Sequence, residues 1–191
     1  MEQNSQIEID SKYALLESQI CECFGRVVYS HKAHEKCADI ALARHNLIKV
    51  IQIILSAIVT TSLLIKIFGD QQWALMLGVA LSTILFGINT YIKDFDLGEI
   101  SQKHSKTASE LWNIRESYLS LITDIKIRSV TIENALKIRD SLQSKLVSVY
   151  SGSPRTISRA YKIASAALKI TEELTFSDEE LNKFLPEDLR K

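Results

Sequence analysis

The side chains most able to bind a metal crowd into one stretch, YSHKAHEKCADI at residues 29–40, which carries His31, His34, Glu35, Cys37 and Asp39. Three-residue steps from His31 to Cys37 spread these groups over about 120° of a helix. A metal centre needs tighter convergence, or ligands from a second helix. We therefore read them as helix-surface and interface residues and expect no metal. Cys21 and Cys23 point apart on a helix, and three cysteines cannot close a disulfide framework, which fits a reducing compartment. There is no Gly-rich phosphate loop, no His-Glu-x-x-His and no nucleophile elbow. Scattered carboxylates do not make an acid–base pair, so neither an enzyme nor a cofactor is expected.

A second set of polar residues lies inside apolar sequence. Gln52, Ser56 and Thr60 recur at every fourth position; Gly78, Ser82 and Asn89 share one helical face, and Thr83, Gly87 and Thr90 share a neighbouring one. Small residues at this spacing let helices approach closely, and Ser, Thr and Asn can hydrogen-bond between helices. They serve either as packing glue or as the lining of a water-filled path between assembled copies. Intramembrane charge is missing from these stretches, which argues against a proton relay or a coupled transporter.

Charge supplies a third set. Residues 126–169 hold nine basic side chains, Lys126, Arg128, Lys137, Arg139, Lys145, Arg155, Arg159, Lys162 and Lys169, against Glu133 and Asp140. Residues 172–188 then hold seven Asp or Glu against Lys183. A basic segment can meet anionic lipid, a nucleotide or RNA phosphates. It can equally neutralise the acidic tail of the same or a neighbouring chain, or be a solvated face. We expect no DNA binding.

The elements that carry these residues are few and long. The chain has 191 residues, a formal net charge of +0 and a mean hydropathy of +0.03, an average that conceals strong segregation. Val50–Ile65 and Gln71–Ile92 carry no charge, and only 6 Gly and 2 Pro interrupt the whole sequence. Few breakers mean long helices. The first uncharged run would make a helix of roughly 24 Å, somewhat short of a bilayer core of about 30 Å. Lys49 and Lys66 flank it, and both can extend their ammonium groups toward headgroups. Trp73–Ile92 spans about 30 Å unaided, with Trp73 and Tyr91 where an aromatic belt belongs. Two helices apolar on every face would need a thick protein jacket to be soluble, and the remaining amphipathic helices cannot supply one.

Only Gly69-Asp70-Gln71-Gln72 separates the runs, which predicts an antiparallel hairpin with both termini on one side. Arg44 and Lys49 before it, and Lys93, Lys103 and Lys106 after it, place that side in the cytoplasm. Met1–Asp10 is polar and does not read as a cleavable leader, so insertion falls to the internal spans. The predicted fold class is all-α: a cytoplasmic helix over 1–46, a two-span transmembrane hairpin over 47–92, one long cytoplasmic helix over 93–150 and C-terminal helices over 151–191. Gly152 is expected to end the long helix in a left-handed conformation, with Pro154 opening the next. Ser177 and Glu180 form a capping box.

Together these features resemble the SLATT domain family, two-transmembrane effectors of bacterial conflict systems. The resemblance rests on YSHKAHEKCADIALARHNLIKV entering the first span, the tight GDQQ hairpin, and YIKDFDLGEISQKHSKTASELW leaving the second, and covers roughly residues 10–175. It implies a pore-forming effector of the bacterial inner membrane. In such anti-phage (abortive infection) systems the membrane is compromised before phage multiply. The family occurs beside nucleotide-second-messenger synthases, nucleotide-sensing domains and reverse transcriptases. The implied partners are therefore a homo-oligomer, membrane lipids, and an upstream sensor protein, nucleotide second messenger or reverse transcriptase. The rival reading is a non-conducting, membrane-anchored helical scaffold that recruits cytoplasmic partners.

Overall fold

The computed structural model describes residues 2–190, and these are all-α. In chain order they form α1 (Glu2–Gly69), α2 (Gln72–Asp94), α3 (Leu97–Lys126), α4 (Ile132–Gly152), α5 (Ser158–Lys169), α6 (Asp178–Phe184) and a 3-10 turn (Glu187–Leu189). Contacts divide the chain into two compact units. One is Ala38–Lys103; the other joins the segment ending at Cys37 to the segment beginning at His104.

The Ala38–Lys103 unit is built on a hairpin with a heptad seam. Along α1 the sheltered stripe is Ala38, Ala41, His45, Ile48, Gln52, Leu55, Val59, Ser62 and Lys66, alternating three- and four-residue steps, with Ile40 partly sheltered beside it. Along α2 it is Ala74, Gly78, Leu81, Leu85, Ile88 and Ile92, with the same alternation, and Leu75 beside this stripe is partly sheltered. That spacing holds one narrow stripe of each helix against the other and leaves the rest outside. The outside is apolar: Ile53 is 69% exposed, Phe68 84% and Phe86 73%. Only 6% of the most apolar 18-residue window of each helix is buried. A soluble protein does not present so continuous an apolar surface to water, and within hydrocarbon a helix satisfies its own backbone. These helices therefore suit a bilayer rather than a protein core.

The hairpin tip is tighter than the four residues of its sequence motif. α1 runs through Gly69 and α2 begins at Gln72, leaving Asp70 and Gln71 as the connection. Asp70, not Gly69, takes the left-handed conformation (φ 46°), which short polar side chains tolerate better than most. At the other end Asp96 caps α3: its Oδ1 accepts from the backbone N–H of Gly98 (2.8 Å) and Glu99 (3.0 Å). Those bonds, Glu99's above all, hold the Asp96 carboxyl below its usual range.

In the other unit, Leu16, Ile20 and Val27 of α1 pack with Leu111, Ile114, Tyr118, Leu121 and Ile125 of α3 and with Ala135 and Leu142 of α4. α5 lays Ala160, Ala164 and Ala167 inward, and these small side chains let its backbone approach closely. The expected single helix over 93–150 is instead two. The chain leaves α3 at Lys126 and resumes as α4 at Ile132, with Arg128 left-handed (φ 60°) between them. Thr131 caps α4, its side chain accepting from the N–H of Asn134. Arg128 is held in this unfavourable conformation from outside: its guanidinium lies 3.9 Å from the Tyr13 ring centroid and 2.7 Å from Asp10. The Tyr13 hydroxyl donates to the Val130 carbonyl (2.9 Å). Gly152 is also not left-handed; it closes α4 with ordinary φ, and Pro154 falls in the linker before α5. The capping box of Ser177 and Glu180 forms as expected.

Candidate functional site

The polar residues of the spans separate into two groups. Gln52 and Asn89 meet across the hairpin, the Gln52 amide N–H donating to the Asn89 side-chain oxygen at 2.6 Å. Gly78 is buried where the two helices approach closely: a Cβ there would lie 2.6 Å from Ser62 Oγ, 3.7 Å from Ser62 Cβ and 3.9 Å from Leu63 Cδ2. Ser62 is itself 3% exposed and donates to the Val59 carbonyl at 2.8 Å. Gly78 thus serves the hairpin's own packing and is not available to a second hairpin.

The others lie outside the seam. Ser56, Thr60, Ser82, Thr83, Gly87 and Thr90 are all exposed. The hydroxyls of Thr60, Thr83 and Thr90 donate to the carbonyls four residues earlier, those of Ser56, Val79 and Phe86. A hydroxyl satisfied by its own helix can face hydrocarbon at little cost and still offers an oxygen lone pair to water. Lys66 pairs with Asp70 at the tip. Trp73 and Tyr91 are exposed, and Tyr91 stacks on Phe95 with ring centroids 5.0 Å apart. Lys49 is exposed, on the helix face beside Ile48.

The basic residues do not form one continuous free surface. Several are tied to α1 or to near neighbours. Lys126 is 3.6 Å from Glu17, Arg128 binds Asp10, Lys137 binds Glu133 at 2.7 Å, and Arg139 binds Asp140 at 2.7 Å and the Gln19 side chain at 3.1 Å. Lys145, Arg155, Arg159 and Lys162 form no ion pair among the described residues. Arg155 lines an open cleft of about 520 Å³ with His34, Tyr150 and the stacked pair Tyr29–Tyr161, whose ring centroids are 5.9 Å apart. In the acidic tail Glu173 pairs with Lys32 (3.0 Å) and Lys36 (3.1 Å), which lie outside the basic segment. Those two lysines hold the Glu173 carboxyl below its usual range.

The histidines of residues 29–40 meet a third one that their spacing does not indicate, His104. His34 and His104 are each 4% exposed, and their Nδ1 atoms face each other at 3.0 Å, so one ring donates and the other accepts. His31 is 5% exposed, with Nε2 3.6 Å from Glu35 and its Nδ1 buried without a partner. Burial lowers all three imidazole pKa values, His34 to about 4, aided there by the neighbouring His104 and His31. His34 of the 29–40 stretch therefore forms a neutral histidine pair with His104 of α3. Among the described residues no group of three or more His, Cys, Asp or Glu is placed to hold a metal. Cys37 is buried, which raises its thiol pKa, and all three cysteines are free.

Residues 16–180 match the family described as SMODS and SLOG-associating 2TM effector domain family 4. No curated protein and no solved structure matches the chain.

Proposed function

The chain belongs to that family of two-transmembrane effector domains, which makes it a membrane effector of a conflict system, and from this premise we propose that it forms a pore. The observation that carries the proposal is the division of the polar residues. The hairpin uses Gly78, Ser62, Gln52 and Asn89 for itself and leaves Ser56, Thr60, Ser82, Thr83, Gly87 and Thr90 on its apolar exterior. Such a face tolerates lipid while the hairpin is alone. Against other copies it supplies small residues for close packing and hydroxyls for a wet lining.

The chain sits in the inner membrane with both termini in the cytoplasm, by the excess of Arg and Lys at the outer ends of the spans. It catalyses no reaction, and a separate sensor protein, nucleotide second messenger or reverse-transcriptase partner drives opening or assembly. The cleft at Arg155 supports an anionic small-molecule signal. A second reading, a non-conducting anchor that recruits cytoplasmic partners, is favoured by the Gln52–Asn89 bond, which turns the two amides of the spans on each other.

Expression in bacteria together with its activating component separates the two. A pore predicts growth arrest with loss of membrane potential, relieved by Thr60→Leu or Ser82→Leu while the protein still fractionates with the membrane. Arrest without depolarisation, or arrest indifferent to both substitutions, contradicts the pore and leaves the anchor.

A further inference from the structure

Gly25 lies in the middle of α1, where glycine weakens a helix, yet no close approach requires it: a Cβ there would meet nothing within 4 Å. The empty space is part of a groove of about 320 Å³ walled by Phe24, Val28, Leu119, Leu168 and Leu174. A side chain larger than alanine's at residue 25 would project into this groove, so a small residue there keeps it open. The groove's polar edge is uneven. Arg115 is neutralised by Glu116, to which its Nε donates at 2.9 Å. Lys169, the last residue of α5, stands 6.0 Å from the Tyr29 ring and has no carboxylate partner among the described residues. One uncompensated positive charge therefore stands at the edge of an apolar groove.

We propose that this groove binds a free single-chain anionic amphiphile, its alkyl body against Phe24, Val28 and Leu168 and its carboxylate at Lys169. The volume suits an alkyl chain on the order of ten to fifteen non-hydrogen atoms at interior packing density. A longer chain can leave through the open side. The site is independent of the pore reading: it requires only the unit containing these helices to be folded.

The test uses the full-length protein in phosphatidylcholine nanodiscs, with 11-(dansylamino)undecanoate as the probe and dansyl emission as the readout. Saturable enhancement beyond that of empty discs is expected. Gly25→Leu fills the groove and should weaken binding at least about tenfold, equivalent to about 1.4 kcal/mol. Gly25→Ala, which only occupies open space near the helix, should stay within about twofold of wild type. Lys169→Gln, an exposed change that leaves the core untouched, should weaken the carboxylate probe about three- to tenfold while leaving its methyl ester unaffected. Should Gly25→Leu misfold by circular dichroism, Leu168→Trp from the facing wall replaces it with the same expected loss.

Enhancement equal to that of empty discs overturns the proposal. So does probe binding unmoved by Lys169→Gln, or by the groove-filling variant that folds. Abolition of probe binding by diacyl phosphatidylglycerol in the discs would assign the groove to bilayer lipid and equally overturn a free amphiphile as its occupant.

Discussion

Gly78 lets the two helices of the hairpin approach closely at Ser62, and Gly78→Ala probes that contact directly. The added Cβ would sit 2.6 Å from Ser62 Oγ, far inside contact distance, but 3.7 Å from Ser62 Cβ, an ordinary separation. Two responses are open. Ser62 can turn away, breaking its bond to the Val59 carbonyl at about 0.5–1.5 kcal/mol; or the helices can separate, at about 1–3 kcal/mol for an overpacked contact. Alanine also gains about 0.8–1 kcal/mol of helix propensity over glycine, so the single substitution has a small net effect. The coupling is the informative quantity. Ser62→Ala removes the clashing oxygen and keeps the tolerated Cβ, so Gly78→Ala should be better accommodated beside it. The double-mutant cycle should give an interaction energy of about 1–2 kcal/mol, the pair being more stable than the single effects predict. Reversible unfolding in bicelles, followed by circular dichroism as SDS is added, measures it. A coupling within about 0.5 kcal/mol of zero would refute the close approach, whatever the single mutants do.

Further predictions address other parts of the molecule. Gln52→Leu and Asn89→Leu should each strand one amide, whereas the double variant removes both, so each single should cost more than the pair by about 0.5–1.5 kcal/mol in the same unfolding assay. Because His31, His34 and His104 are held neutral by burial, the unfolded chain binds more protons once pH falls below about 6.5. Stability should therefore decline from about pH 6.5 toward about pH 4. The His34 shift to about 4 contributes up to roughly 2–3 kcal/mol of that loss; a Tm that is flat across this window contradicts the buried pair. Cys21 is exposed and Cys37 buried with a raised pKa, so a thiol-specific maleimide should label Cys21 at least about tenfold faster. With a membrane-impermeant reagent, labelling of Cys21 should need inverted vesicles; labelling from outside intact spheroplasts contradicts cytoplasmic termini.

The spans and their tip were legible because charge-free length and short connections are local properties of the sequence. The capping box was legible for the same reason, since Ser177 and Glu180 are three residues apart. The α3–α4 reversal was hidden. Ile125 and Ile132 lie a full heptad apart, so the apolar stripe continues across the turn as though the helix did. The residue that turns the chain is an arginine, not a glycine or proline, and it is stabilised by Tyr13 and Asp10, more than a hundred residues earlier. Gly78 shares a helical face with Ser82 and Asn89, but a heptad seam is narrower than a helical face. Only the hairpin's register brings Gly78 to Ser62 and Gln52 to Asn89. Ser62 was not singled out because it stands off the four-residue file of Gln52, Ser56 and Thr60. The histidine pair depends on a contact across seventy residues that no spacing rule describes.

Conduction by copies of this hairpin is what distinguishes a pore from an anchor. Purified full-length protein reconstituted into planar bilayers, with and without its activating component, tests it most directly. Discrete current steps that Thr60→Leu and Ser82→Leu reduce or abolish are expected, with Gly78→Ala/Ser62→Ala retained as a packing control. Silent bilayers containing demonstrably inserted protein and its activator, or currents indifferent to the outer polar residues, would contradict it.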